Sequence, residues 1–155
     1  MKFRMLTKEE MQVFDEDFKH FLIVNGVSNE EWIEMNESNI EKATNLVELF
    51  ADTVFQKVYE KMKFVEHRSD ASCMVFKLNE EDIELISINR KSETVSLATP
   101  QSIHEALIKH PNLLTVFKTE KAYSKERELE VHEMISQGCV NSSEAFWMML
   151  EKVIS

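Results

Sequence analysis

The sequence predicts an α+β fold: an N-terminal helical layer on a small, mainly antiparallel sheet of three to five strands, followed by two helices. Three observations carry this. Apolar residues recur at helical spacing up to residue 62, the period shortens to two from Phe64, and capped helical patterns return after residue 124. One domain over residues 1–155 is expected, helical over 1–62, mostly strands with one helix over 63–118, and two helices over 124–155.

Taken in order, Thr7 and Glu10 form a capping box that opens a helix with Met11, Phe14, Phe18, Phe21 and Leu22 on its apolar side. Gly26 supplies a left-handed stop. Ser28 with Glu31 starts a short helix carrying Trp32 and Met35. Ser38 with Glu41 starts the longest one. There Ile40, Ala43, Val47, Phe50, Val54, Val58 and Met62 recur at steps of three and four, and Glu41, Asn45, Glu48, Asp52, Gln56, Glu60 and Lys63 trace the polar side. Leu46, Leu49, Ala51 and Phe55 widen the apolar face. Such a face suits a core helix packed on two neighbours; left uncovered, it would be a partner-binding groove.

From Phe64 the pattern is strand-like over 64–68 and 73–78, with a polar turn at 79–82 and a further strand over 83–89. In that third strand Ile83, Leu85, Ile86 and Ile88 do not alternate cleanly, so either both faces are covered or the strand carries a bulge. Residues 94–98 suit a fourth strand. Thr99 and Pro100 cap a helix containing Ile103, Ala106, Leu107 and Ile108, which His110-Pro111 ends. Residues 113–118 suit one more strand. Ser124 caps a helix with Leu129, His132 and Ile135 on one side and Gly138 at its end. Asn141 with Glu144 opens the last helix, bearing Phe146, Met149, Leu150 and Val153.

Composition narrows the function. Twenty-eight acidic residues against eighteen Lys and Arg give a net charge of −10, which repels nucleic-acid backbones and anionic membrane surfaces. The start of the chain has no apolar signal region, and the run 21–24 is too short to span a bilayer. Two cysteines without an export signal fit a reducing cytoplasm. With Gly26 and Gly138 as the only glycines, no Gly-rich nucleotide fingerprint, Walker loop or GxSxG elbow can exist.

Candidate chemistry is sparse. His67, Cys73, His104, His110, His132 and Cys139 show no recurring zinc spacing, so no metal site and no cofactor are expected. Cys139 follows Gly138 just before a helix, where a helix dipole lowers a thiol pKa, and His132 lies seven residues upstream. His67, His132 and Cys139 are therefore the catalytic candidates. Against them stands the frequency with which cysteine simply fills a turn or core. The acidic runs 15–17 and 80–82 lack the alternating ligands and central glycine of a calcium loop and read as solvated surface. Lys118, Lys121, Lys125 and Arg127, interleaved with Phe117 and Tyr123, suit nucleic acid by residue type, but Glu120, Glu126, Glu128 and Glu130 dilute their charge. Phe146 and Trp147 are candidates for binding a protein, beside the simpler reading that aromatics and the nine methionines fill the core.

Residues 6–10 (LTKEE), Asp17-Phe18 before Phe21-Leu22, Glu31-Trp32, Val65-Glu66-His67 and residues 123–127 (YSKER) occur in an order that resembles a family of short, acidic proteins from Bacteroidota built on a domain of unknown function. The resemblance implies a cytoplasmic bacterial protein and brings no activity, cofactor or catalytic residue with it. The leading expectation is a cytoplasmic interaction or regulatory module that binds a protein partner or itself without catalysis. An enzyme built on the His and Cys candidates is the alternative, and RNA binding through Lys118, Lys121, Lys125 and Arg127 is the third. The small-molecule question is open.

Overall fold

The computed structural model describes residues 1–154, and the chain resolves into two compact units, one up to Val58 and one from Tyr59 onward. The first unit is helical: α1 (Lys8–Val13), α2 (Asp15–Val24), α3 (Asn29–Ser38) and α4 (Ile40–Lys61), the last turn of α4 belonging to the second unit. The Thr7–Glu10 capping box is present, with both reciprocal bonds made. The helix expected beyond it is interrupted. Phe14 leaves helical geometry at φ −98°, ψ 19°, and α2 restarts with Asp15, Glu16 and Asp17 in its first turn, where three carboxylates favour a helix N-terminus.

The Ser38 capping box does not form. Ser38 is the last residue of α3 and donates its hydroxyl to the Glu34 carbonyl at 2.9 Å, while Asn39 Oδ1 accepts from the Lys42 N–H at 3.3 Å and takes over the cap. The buried stripe of α4 is also rotated from the expected one. Ala43, Phe50, Ala51, Phe55 and Tyr59 are buried, whereas Ile40, Leu49 and Val58 are exposed. Phe18 organises the interior of this unit, with ring centroids 5.1 Å from Trp32 and 5.0 Å from Phe50.

The second unit is built on a five-stranded, wholly antiparallel sheet in the order β4-β3-β2-β1-β5. Its strands are β1 (Phe64–Arg68), β2 (Ser72–Leu78), β3 (Asp82–Arg90), β4 (Leu114–Ala122) and β5 (Val140–Asn141). A serine turn joins β1 to β2, with Ser69 N–H donating to Ser72 O at 2.8 Å. Asn79 closes the next hairpin with its N–H on Asp82 O and its amide on the Asp82 carboxylate. The ladders of β3 are unbroken on both sides, so its irregular apolar pattern reflects two covered faces and not a bulge.

Helices α5 (Pro100–Lys109) and α7 (Glu144–Ile154) cover one face, packing Ile103, Leu107, Phe146, Trp147 and Leu150 onto Cys73, Val75, Ile86 and Ile88. The stretch 94–98 is no strand. Val95 and Leu97 do point into this core, but Leu97 N–H bonds the Asp70 carbonyl at 3.0 Å and no ladder forms. The fifth strand is instead β5, whose Asn141 pairs with Val65, and Ser143 takes the cap expected of Asn141, accepting from Phe146 N–H at 3.1 Å. Helix α6 (Arg127–Ser136) faces the other side of the sheet.

Candidate functional site

Alternation along the strands turns His67 of β1, Met74 and Phe76 of β2, Ile83 of β3 and Lys121 of β4 toward one face. Together with Ser124, the α6 residues Glu130, Glu133 and Met134, and Gln137 and Cys139 beyond it, they line a cleft of about 400 Å³. Three of the sequence candidates, His67, Cys139 and Lys121, meet here. The cause is β5: pairing of Val140 with Glu66 carries the preceding turn over β1, so that a Cβ placed on Gly138 would lie 3.5 Å from the His67 ring. Gly138 itself sits at φ +107°, open to glycine and strained for other residues.

The electrostatic centre of the cleft is a carboxylate. Glu130 is 5% exposed, and Ser124, expected to cap α6, instead donates both its N–H (2.6 Å) and its hydroxyl to Glu130 Oε1. Glu126 occupies the cap position in its place. Burial alone pushes the Glu130 carboxyl up, but the Ser124 bonds and the Lys121 and Lys125 ammoniums outweigh it and hold it below the usual carboxylate range. Its second oxygen, Oε2, is buried and has no hydrogen-bond partner. Lys125 is ion-paired with Glu133.

Burial pushes the Cys139 thiol up, so it rests as the thiol and not the nucleophilic thiolate. His132 is not part of the cleft lining; its Nδ1 lies 2.8 Å from the Tyr59 hydroxyl. Cys73 lies on the opposite face, fully buried, with its thiol pushed up to about 12 by burial and the Glu66 carboxylate against the Arg68 guanidinium. Glu66 itself is buried, accepting from Ser142 Oγ at 2.7 Å and paired with Arg68. Among the described residues no three His, Cys, Asp or Glu side chains converge to hold a metal ion.

The remaining candidates lie elsewhere. Phe146 and Trp147 are core residues, 7% and 1% exposed, and present no aromatic surface. Lys118 pairs with Glu151 at 2.6 Å and Glu84 at 3.7 Å. Arg127 is a clamp. Its Nε donates to Asn79 O at 3.1 Å, one terminal nitrogen to Tyr59 O at 2.8 Å, and the other to Met62 O and to Leu78 O at 3.2 Å. It thereby fastens the end of α4 to the end of β2.

The fold and cleft define an α+β protein with a five-stranded antiparallel sheet and a carboxylate-centred recess on the α6 face. The model of the family of unknown function DUF6495 matches residues 1–155, and the chain belongs to that family. No curated protein and no solved structure matches it. No helix among the described residues is long and apolar enough to cross a membrane.

Proposed function

We propose that this protein is a bacterial, cytoplasmic interaction module that works by binding and not by catalysis, and that the α6 cleft receives a basic side chain of a protein partner. The observation that carries the reading is Glu130, which lines the recess and whose Oε2 is a buried acceptor without a donor. Such an atom costs free energy until a donor reaches it. Met74, Phe76, Ile83 and Met134 offer an apolar wall for the stem of a lysine or arginine, and the net charge of −10 draws basic segments at long range. The two unpaired cysteines suit a reducing compartment.

The test uses two peptides, acetyl-Ala-Lys-Phe-amide and its norleucine counterpart, which keeps the stem and lacks the ammonium. Titration into ¹⁵N-labelled protein is expected to shift the Ser124, Gly138 and Cys139 amides saturably with the lysine peptide, and roughly tenfold more weakly with norleucine, by the worth of one charge-assisted hydrogen bond. Glu130→Gln, which keeps an acceptor for Ser124, should erase the difference. Equal binding of the two peptides, or no saturable shift at the cleft, would overturn the proposal.

The enzyme reading draws on the meeting of His67 and Cys139 in one cleft. It requires a Cys139 thiolate near neutral pH. A thiol-alkylation rate that climbs between pH 6 and 7 would favour it.

A further inference from the structure

We propose that a second copy of this chain docks on the free edge of the sheet, β4 pairing with β4 about a two-fold axis at Thr119. β4 ends the strand order, and residues 117–122 are all exposed. The phase of its hydrogen bonds is fixed by the Lys91 N–H, which donates to Leu113 O at 2.7 Å in continuation of the β3–β4 register. Odd-numbered β4 residues therefore bond to β3, and the N–H and C=O groups of Val116, Lys118, Glu120 and Ala122 point outward. A nine-residue edge of this kind is a template for another strand unless charge or shape forbids it.

Here the charges favour one register: within the strand, only centring on Thr119 sets opposite charges against each other. An axis normal to the sheet keeps like faces together, so each permitted register centres on a residue. Centring on Lys118, Glu120 or Lys121 opposes identical charges. Centring on Thr119 sets Lys118 of each copy against Glu120 of the other, in the outward-bonding pairs, and sets Phe117 against Lys121. The pairing also answers a conflict within the monomer. Glu120 stands directly across from Glu84, a like-charge cross-strand pair, and Glu84 already has Lys118 at 3.7 Å and Lys77 at 3.8 Å. A second copy brings Glu120 a cation. Beside this edge runs an open groove of about 730 Å³ with exposed Phe117 and Met148 in its lining, apolar surface that a second copy covers. The proposal is independent of the α6 cleft, although Lys121 sits at the rim of both.

Sedimentation equilibrium over a wide concentration range tests it. The wild-type chain is expected to dimerise, and Glu120→Lys, which opposes lysines at both pairs, should weaken the dimer about tenfold or more. Lys118→Glu alone should weaken it too, while an equimolar mixture of the two variants should re-form a dimer, since every cross-pair is then of opposite sign. Because Lys118→Glu also removes ion pairs within the monomer, Thr119→Cys supplies a second readout. Its thiols face each other across the axis and should cross-link under mild oxidation, whereas Thr115→Cys should not. A monomer at all concentrations, or a dimer indifferent to Glu120→Lys with no Thr119→Cys cross-link, would overturn it.

Discussion

Arg127 offers the sharpest test of how the second unit is held together. Its side chain is 11% exposed and donates to four main-chain carbonyls, those of Tyr59, Met62, Leu78 and Asn79. Hydrogen bonds from a charged donor contribute about 1.5–3 kcal/mol each, but four made by one rigid fork are not additive. Arg127→Ala leaves those acceptors without the guanidinium and removes the buried stem. Together these place the loss at about 4 kcal/mol, within the range for breaking a buried charged network. With a urea slope of about 2 kcal/mol/M, the unfolding midpoint should fall by about 2 M. Arg127→Lys restores a charge but not the planar fork and should recover about half. The assay is urea unfolding followed by circular dichroism. A loss below about 1 kcal/mol for Arg127→Ala would class the residue with ordinary surface cations and refute the clamp.

Two further outcomes follow from the titrating groups. The Arg4 guanidinium and the Thr7 N–H hold the Glu10 carboxyl at about 2. A lowered carboxyl pKa stabilises the fold above the ordinary carboxylate value, so this contribution is full above about pH 4.5 and disappears as pH falls through about 2. An NMR titration should find that midpoint, and Arg4→Ala should return it toward the normal range. The exposed setting of the pair keeps its effect on stability small. For the cysteines, iodoacetamide at neutral pH should modify Cys139 more slowly than a free thiol and leave Cys73 untouched until denaturant is added; peptide mapping by mass spectrometry reads both sites.

What the sequence made legible follows the range of the forces involved. The helical segments, apart from the break at Phe14, and the strands of the two hairpins rest on periodicity within a few residues, and they are where expected. The errors begin where two local signals compete. Ser38 and Asn39 both match a cap, and Ser38 loses because the Glu34 carbonyl one turn back is still available to its hydroxyl. Residues 94–98 alternate as a strand does because Val95 and Leu97 are buried, yet burial does not require a ladder partner. β5, at two residues, is shorter than any repeating pattern could reveal. The site depends on longer range still. His67 and Cys139 each stand out in the sequence, but what joins them is the β1–β5 pairing across more than seventy residues of chain, a contact that neither residue's neighbours encode. Arg127 shows the same logic inverted. Its neighbours suggest a cation free to bind phosphate, while the carbonyls that engage it come from segments 48 to 68 residues away. Glu130 reads in the sequence only as one more acid diluting a charged helix. Its i−6 relation to Ser124 is the one local trace of its burial, and that spacing matches no capping rule based on three residues.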